Sequence, residues 1–485
     1  VTDPVRPAAS GAMPRPLFHL TPHRHWMNDP NGLVHHGGLW HVYFQHNPEG
    51  PDWGNMSWGH ATSPDLLHWT EHPVALPYRP GEQMFSGSVV ASRLPGDDTL
   101  TALFTSAYDD DHQAQSRATS TDGGYTWATD PDNPVLDRGT RAFRDPKVVP
   151  YVDADGDARW LLVAVEADDR QVLLYSSTDL RAWTHLSTFG PTGTDGVVWE
   201  CPDLVRLPVD DDPDDQRWVL LLSTNPVGAD ADPEGSSMSY VVGRFDGREF
   251  TPDVDRLTRL DHGRDLYAGV TFDHAPDGEA ILLGWMSNWR YAASVPTAPW
   301  RGAMSLPRRL ALRTVDGQVR LVQEPFGFVR TWLDRATLAT VAGDAQPVEL
   351  VSSGHLLCEL RWDPAATGSV RLDLRGDADA LVSICHDVAA GELRVTRGGA
   401  DAEAVHPDFP SVSTVPLGCA RPVRLLVSLD GGLLEIFVNQ GEQTLSNLVP
   451  LGTGPVTVTV ECDDRGPITV VAVDAAGLLT ADRSS

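Results

Sequence analysis

An all-β chain, a five-bladed β-propeller followed by a C-terminal β-sandwich, is the architecture to expect from this sequence. Short apolar, β-branched and aromatic runs bounded by turn residues recur throughout, and no long stretch carries a convincing helical period. One turn motif ending in an aromatic residue returns four times at a spacing that suits a propeller blade. Beyond about residue 345 the composition changes, with a single tryptophan, Trp362, and four of the five cysteines.

Residues 39–45 set the strand pattern. Trp40, Val42 and Phe44 face one way and His41, Tyr43 and Gln45 the other. Residues 160–165, 172–175, 218–222 and 281–286 are apolar runs of the kind buried on both faces. The repeated turns are residues 63–69, 120–127, 177–183 and a degenerate copy at 245–250. Their aromatic ends, Trp69, Trp127, Trp183 and Phe250, stand 58, 56 and 67 residues apart, room for about four short strands each. The Asp in each copy reads as a turn former. At this spacing residues 14–335 hold five blades. A short helical connector is expected at residues 331–336 and a linker at 336–345. Residues 346–482 then read as a sandwich of short alternating strands, with Asp430-Gly431-Gly432 as a hairpin signal.

The chain has 485 residues and a formal charge of −30, from 37 basic and 67 acidic side chains. Such a field repels phosphate backbones, which argues against nucleic acid as a partner, and is indifferent to a neutral ligand. Five cysteines without a CxxC pair suggest neither a disulfide framework nor a thiolate zinc site. No run of about 18 apolar residues predicts a membrane helix. The opening residues lack a leader pattern, so the expected compartment is the cytoplasm, or the outside after removal of a signal.

Three acids stand out. Asp29 lies between Asn28 and Pro30 in the stretch 26–32, a rigid turn of the kind that fixes a side chain. Asp145 lies between Arg144 and Pro146, and Glu200 between Trp199 and Cys201, with Pro202 next. Asp145 and Glu200 fall 18 and 17 residues after their repeat aromatics, and Phe85 and Tyr267 fall 16 and 17 after theirs. These four are expected at matching places in successive blades. Asp29, in the first blade, would meet Asp145 and Glu200 from the third and fourth at the propeller axis.

The chain resembles glycoside hydrolase family 32, the invertase, inulinase and levanase group. The resemblance is carried in order by residues 26–32, 85–88, 143–146, 199–203, 265–268 and 284–289, with 434–439 similar to a strand of the family's sandwich. It implies a retaining exo-acting β-fructofuranosidase on sucrose, inulin-type or levan-type fructans, with Asp29 as nucleophile, Glu200 as acid/base and Asp145 as transition-state stabiliser. Asn28, Gln45, Trp53, Phe85, Ser86, Arg144 and Tyr267 would line the fructose site, Trp289 its rim, and Asp265 would support it. Trp199 and Cys201 would give Glu200 an apolar setting that keeps its proton. Arg144 and Asp145 can reach one sugar only if the backbone bends between them.

The chemistry so implied needs no cofactor and no metal. The histidines His23, His25, His35, His36, His41 and His46 cluster early without a defined ligand set. A fructosyltransferase would use the same intermediate, and a non-catalytic fructan binder would share the fold. The sandwich shows no aromatic row, so it reads as structural, in a monomer or homodimer. The loop at 227–237, rich in Gly, Asp and Ser, is expected to move rather than make a defined contact.

Overall fold

The N-terminal part of the chain is a ring of antiparallel strand units laid down in sequence order. The computed structural model describes residues 12–153, 155–228, 232–334, 337–341, 347–463 and 466–482. The first strands of the successive units are His25–His36, Glu82–Ala91, Phe143–Val152, Val197–Val209 and Tyr267–Thr271. Each packs on the next, and the fifth packs back on the first, which closes a ring of five. The last two units share one sheet, but a single residue pair, Val209 with Leu312, joins them. The short strand Trp300–Arg301 runs parallel to His25–Trp26 and shuts the ring.

The repeated turns do what their sequence predicts. Asp65, Asp122, Asp179 and Asp246 each accept two backbone N–H groups two to four residues on. Each carboxyl lies below its ordinary value.

A helix, Phe328–Asp334, leads out of the propeller and buries Trp332 against Phe18 and the sandwich residues Leu357, Leu426 and Phe437. Residues 337–341 then form a strand paired with Ile468–Asp474. The sandwich therefore reaches into the linker expected at 336–345. The β-branched and apolar residues there are a strand signal, hidden in sequence by the Gly- and Asp-containing stretch that follows. The rest of that linker lies outside the described residues.

The sandwich is two six-stranded sheets around one aliphatic core. The sheet containing His355–Trp362, Val423–Asp430 and Leu433–Val438 is buried on both faces. Leu356, Cys358 and Leu360 enter the sandwich core, while Leu357 faces the propeller. That is why these strands read as near-continuous apolar runs. Gly431 and Gly432 both take positive φ in the two-residue turn expected there.

Charged groups join the two domains. Arg308 bonds Asp261, Glu435 and Ser446, and His19 bridges Asp430 at 2.7 Å and Glu435 at 2.9 Å. Asp430 also accepts the backbone N–H groups of Leu17, Phe18 and His19. Cys201, Cys358, Cys385 and Cys419 form no disulfide. Among the described residues, no helix is long and apolar enough to cross a membrane.

Candidate active site

Each of the five inner strands breaks at a matching place. Two residues oppose one of the neighbouring strand between Met27 and Pro30, Met84 and Gly87, Arg144 and Lys147, Glu200 and Asp203, and Tyr267 and Val270. These are β-bulges, which re-aim side chains at the rim of a sheet. In the last three blades the first bulge residue, Asp145, Cys201 or Ala268, has positive φ. This supplies the bend that Arg144 and Asp145 require. It also corrects the spacing argument. Asp145 matches Phe85 and Asn28, whereas Glu200 matches Tyr267 and Arg144. Strand-to-turn distances that differ by one or two residues had merged two neighbouring positions.

The three acids meet at these breaks. Asp29 is buried; its Oδ1 accepts from Asn28 Nδ2 at 2.9 Å and its Oδ2 from Ser86 Oγ at 2.8 Å. The thiol of Cys201 reaches Asp29 Oδ2 at 3.4 Å and Asp145 Oδ2 at 3.8 Å, so first, third and fourth blades converge on one sulfur. Asp145 Oδ2 also accepts the backbone N–H of Cys201 at 2.9 Å. Glu200 Oε1 accepts from Arg144 Nη2 at 3.1 Å, and its Oε2 accepts from the Tyr267 hydroxyl. Arg144 Nε stands 3.8 Å from Asp145 Oδ2.

Burial, then the charge of Glu200, pushes Asp29 above the ordinary carboxylate value; the donors Asn28, Ser86 and Cys201 oppose them. Burial likewise pushes Asp145 up to about 7, with Arg144 opposing and Glu200 and Asp29 adding to the rise. Burial and the surrounding acids hold the Cys201 thiol and the Tyr267 phenol well above their usual range, so both remain proton donors.

The other candidates divide. Gln45 is the residue opposite the Asn28–Asp29 bulge and donates to Met84 O at 3.0 Å, tying the first blade to the second. Phe85 is half-buried, and Trp53 meets it edge-on at 5.9 Å while 48% exposed, as a pocket wall requires. Trp289 stacks on Trp26 at 5.9 Å and packs on Trp285. Trp199 does not set off Glu200 from solvent. Adjacent strand residues face opposite ways, and its ring lies against Phe189 in the core between the third and fourth blades. Asp265 is also elsewhere: it is buried at the sandwich, bonded to Arg397 and Tyr291. The loop at 227–237 ends in defined contacts, since Ser236 Oγ accepts Trp289 N and Asn288 Nδ2 donates to Glu234 O; its residues 229–231 lie outside the described residues.

Sequence reasoning passed over several supports. Trp26 Nε1 donates to Asn28 Oδ1 at 2.6 Å, which turns the amide of Asn28 toward Asp29. Thr105 Oγ1 accepts Asp145 N, and Ser88 Oγ bridges Pro146 O and Val148 N, pinning the third bulge from the second blade. Further along the ring axis Asp203 accepts Thr271 N and Oγ1 at 2.7 Å and stands 3.3 Å from Lys147 Nζ. Trp26, Ser88 and Asp203 lie within the motifs at 26–32, 85–88 and 199–203, whereas Thr105 carried no local signal. Of the early histidines, His46 Nδ1 bonds Trp26 O and His25 Nδ1 bonds Pro48 O. Among the described residues, no group of three or more His, Cys, Asp or Glu is placed to hold a metal ion.

Comparison with known proteins places this geometry. Residues 19–325 match the model of the glycosyl hydrolases family 32 N-terminal domain, and residues 330–450 that of the family's C-terminal domain. Levanase from Bacillus subtilis is 36% identical over 464 residues, covering 90% of this chain and 66% of the levanase. The crystal structure of exo-inulinase from Aspergillus awamori superposes with a TM-score of 0.87 at 32% identity, covering 94% of this chain and 97% of the other. The β-fructofuranosidase of Schwanniomyces occidentalis complexed with fructosyl-erythritol gives 0.84 at 29% identity, covering 96% and 98%. Both family models fall on the two domains seen here, and on that ground the chain belongs to glycosyl hydrolase family 32.

Proposed function

We propose that the protein is a retaining exo-β-fructofuranosidase that releases terminal fructose from sucrose or fructans. The observation that carries this reading is the meeting of Asp29, Asp145 and Glu200 beside Arg144 and Tyr267 in one pocket. A retaining glycosidase divides its work between one carboxylate and one carboxylic acid.

In this reading Asp29 attacks the anomeric carbon as the glycosidic C–O bond breaks, and Glu200 passes its proton to the leaving oxygen. Glu200 then takes a proton from water, which displaces Asp29 and frees fructose. Asn28, Ser86 and Cys201 each offer Asp29 a hydrogen bond that favours its ionised, attacking form. Arg144 and Tyr267 hold both oxygens of Glu200 and so fix its direction. Asp145, pushed up to about 7, can hold sugar hydroxyls either as donor or as acceptor. The positive charge that develops on the ring is attracted by the acids around it. Trp53 and Phe85 supply an apolar wall, and Trp289 borders the leaving group.

Asp29→Ala and Glu200→Ala are expected to lower kcat by on the order of 10⁴-fold, with the circular dichroism spectrum unchanged. The Glu200 variant should lose far less on a substrate with a good leaving group, which needs little protonation. Product analysis on inulin and levan should show fructose alone at early times. Near-normal turnover in either variant, or oligosaccharides as first products, would sink the reading.

A further inference from the structure

One buried side chain of the sandwich, Arg397, makes several bonds to the pocket's supports. Arg397, on the strand Glu392–Gly398, is buried among groups from both domains. Its Nη1 donates to Asp265 Oδ2 at 2.6 Å and to Leu448 O at 2.9 Å, its Nη2 to the Tyr291 hydroxyl at 2.9 Å, and its Nε to Phe409 O at 2.7 Å. The guanidinium lies 3.7 Å from the centroid of Phe409. Asp265 is equally committed. Its Oδ1 accepts the Tyr291 hydroxyl at 2.5 Å, its Oδ2 accepts Leu448 N at 2.7 Å, and its own N–H donates to Ser446 O at 3.0 Å. A planar fork with several fixed donors can hold this node; a lysine, with one ammonium on a flexible stem, cannot.

Two routes lead from the node to the pocket. Asp265 precedes by two residues Tyr267, whose hydroxyl donates to Glu200. Tyr291 follows Trp289 by two residues, and its N–H donates to Asn288 O at 3.1 Å. Asn288 Nδ2 in turn donates to Arg264 O at 2.7 Å, which joins the two routes. Trp289 stacks on Trp26, and Trp26 orients Asn28 beside Asp29.

We propose that Arg397 is a positioning residue for the reaction: through Asp265 and Tyr291 it sets Tyr267 against Glu200. The sandwich is then a working part of the active site. This rests on the role proposed above for Glu200.

The test uses the full chain, kept well below its unfolding temperature, with sucrose and with an aryl β-fructofuranoside that has a good leaving group. Arg397→Lys is expected to lower kcat on sucrose by about tenfold to a hundredfold, the scale of a small misplacement. Tyr291→Phe keeps the ring and removes the bridging hydroxyl, and should lower kcat a few-fold; it decides the matter if Arg397→Lys does not fold. In both, the aryl substrate should lose much less, because the defect lies in proton delivery. Adding Tyr267→Phe to Tyr291→Phe should cost no more than Tyr267→Phe alone. His355→Ala, which loosens Asp430 elsewhere in the sandwich, supplies the control: it should lower Tm without altering the ratio of the two substrates. Equal losses on both substrates, additive losses in the double variant, or unchanged kinetics would overturn the proposal. Active Glu200→Ala protein would instead overturn the underlying reading, and inactive Glu200→Ala protein beside a wild-type-like Tyr291→Phe overturns this inference alone.

Discussion

At the pocket, Asp145 and Glu200 share one guanidinium, that of Arg144, with Asp29 beside them; at the domain interface, Asp261, Glu435 and Asp430 share Arg308, His19 and His355. Burial acts on both groups of acids in the same direction. In the pocket it wins, so Asp29 and Asp145 rise above the ordinary carboxylate value. At the interface it loses. Arg308 pulls Asp261 and Glu435 down, and His19 and His355 pull Asp430 down. Against its own burial, His19 rises to about 9 between Asp430 and Glu435. The same side chains thus serve opposite ends. Paired charges join the two domains, while the unbalanced ones of the pocket suit the chemistry proposed for it and carry a cost in stability.

That contrast can be broken from either side. The largest effect should come from Arg308→Met, which leaves Glu435 and Asp261 buried without their cation. Unfolding free energy, read from denaturant titration, should fall by about 3–5 kcal/mol. A loss below about 1 kcal/mol would show that the interface charges are not mutually dependent. Asp145→Asn should act in the other direction. An acid whose folded value is raised costs the fold nothing below the ordinary carboxylate value and progressively more as pH rises through about 7. The variant should therefore match the parent at pH 4 and exceed it at pH 8 by about 0.5–2 kcal/mol, while its activity falls. Equal stability at both pH values would contradict the strain assigned to the pocket. The smallest effect belongs to an exposed pair outside both clusters. Arg141→Ala, which removes the partner of Asp111, should change stability by less than about 0.5 kcal/mol and sets the baseline for the other two.

Much of this was legible in the sequence because the signals are local. The four Asp turns, the Gly431–Gly432 hairpin and the Pro that follows each of the three acids, at once or after one residue, lie within a few residues of what they shape. The convergence of the acids followed from the repeat. What escaped was the step of one residue inside each bulge, which turned Trp199 into the core and Cys201 into the pocket. The bonds from Thr105 to Asp145 and from Ser88 to Pro146 and Val148 also escaped, since they cross between blades and leave no pattern in either segment. The partner of Asp265 escaped for a similar reason. Asp265 sits in a motif next to the pocket, but its charge is answered by Arg397, which no local pattern connects to it.

The short strand that shuts the ring bears on how the protein is made. His25 and Trp26 pair with Trp300 and Arg301, so the strand that carries Asp29 is laid down first and gains its last neighbour only after the other four inner strands exist. Joining ends so distant in sequence is a late and entropically costly event. A nascent chain gains Asp29, Asp145 and Glu200 one after another, on strands that have yet to meet. The pocket is then framed on all sides only once the ring has closed.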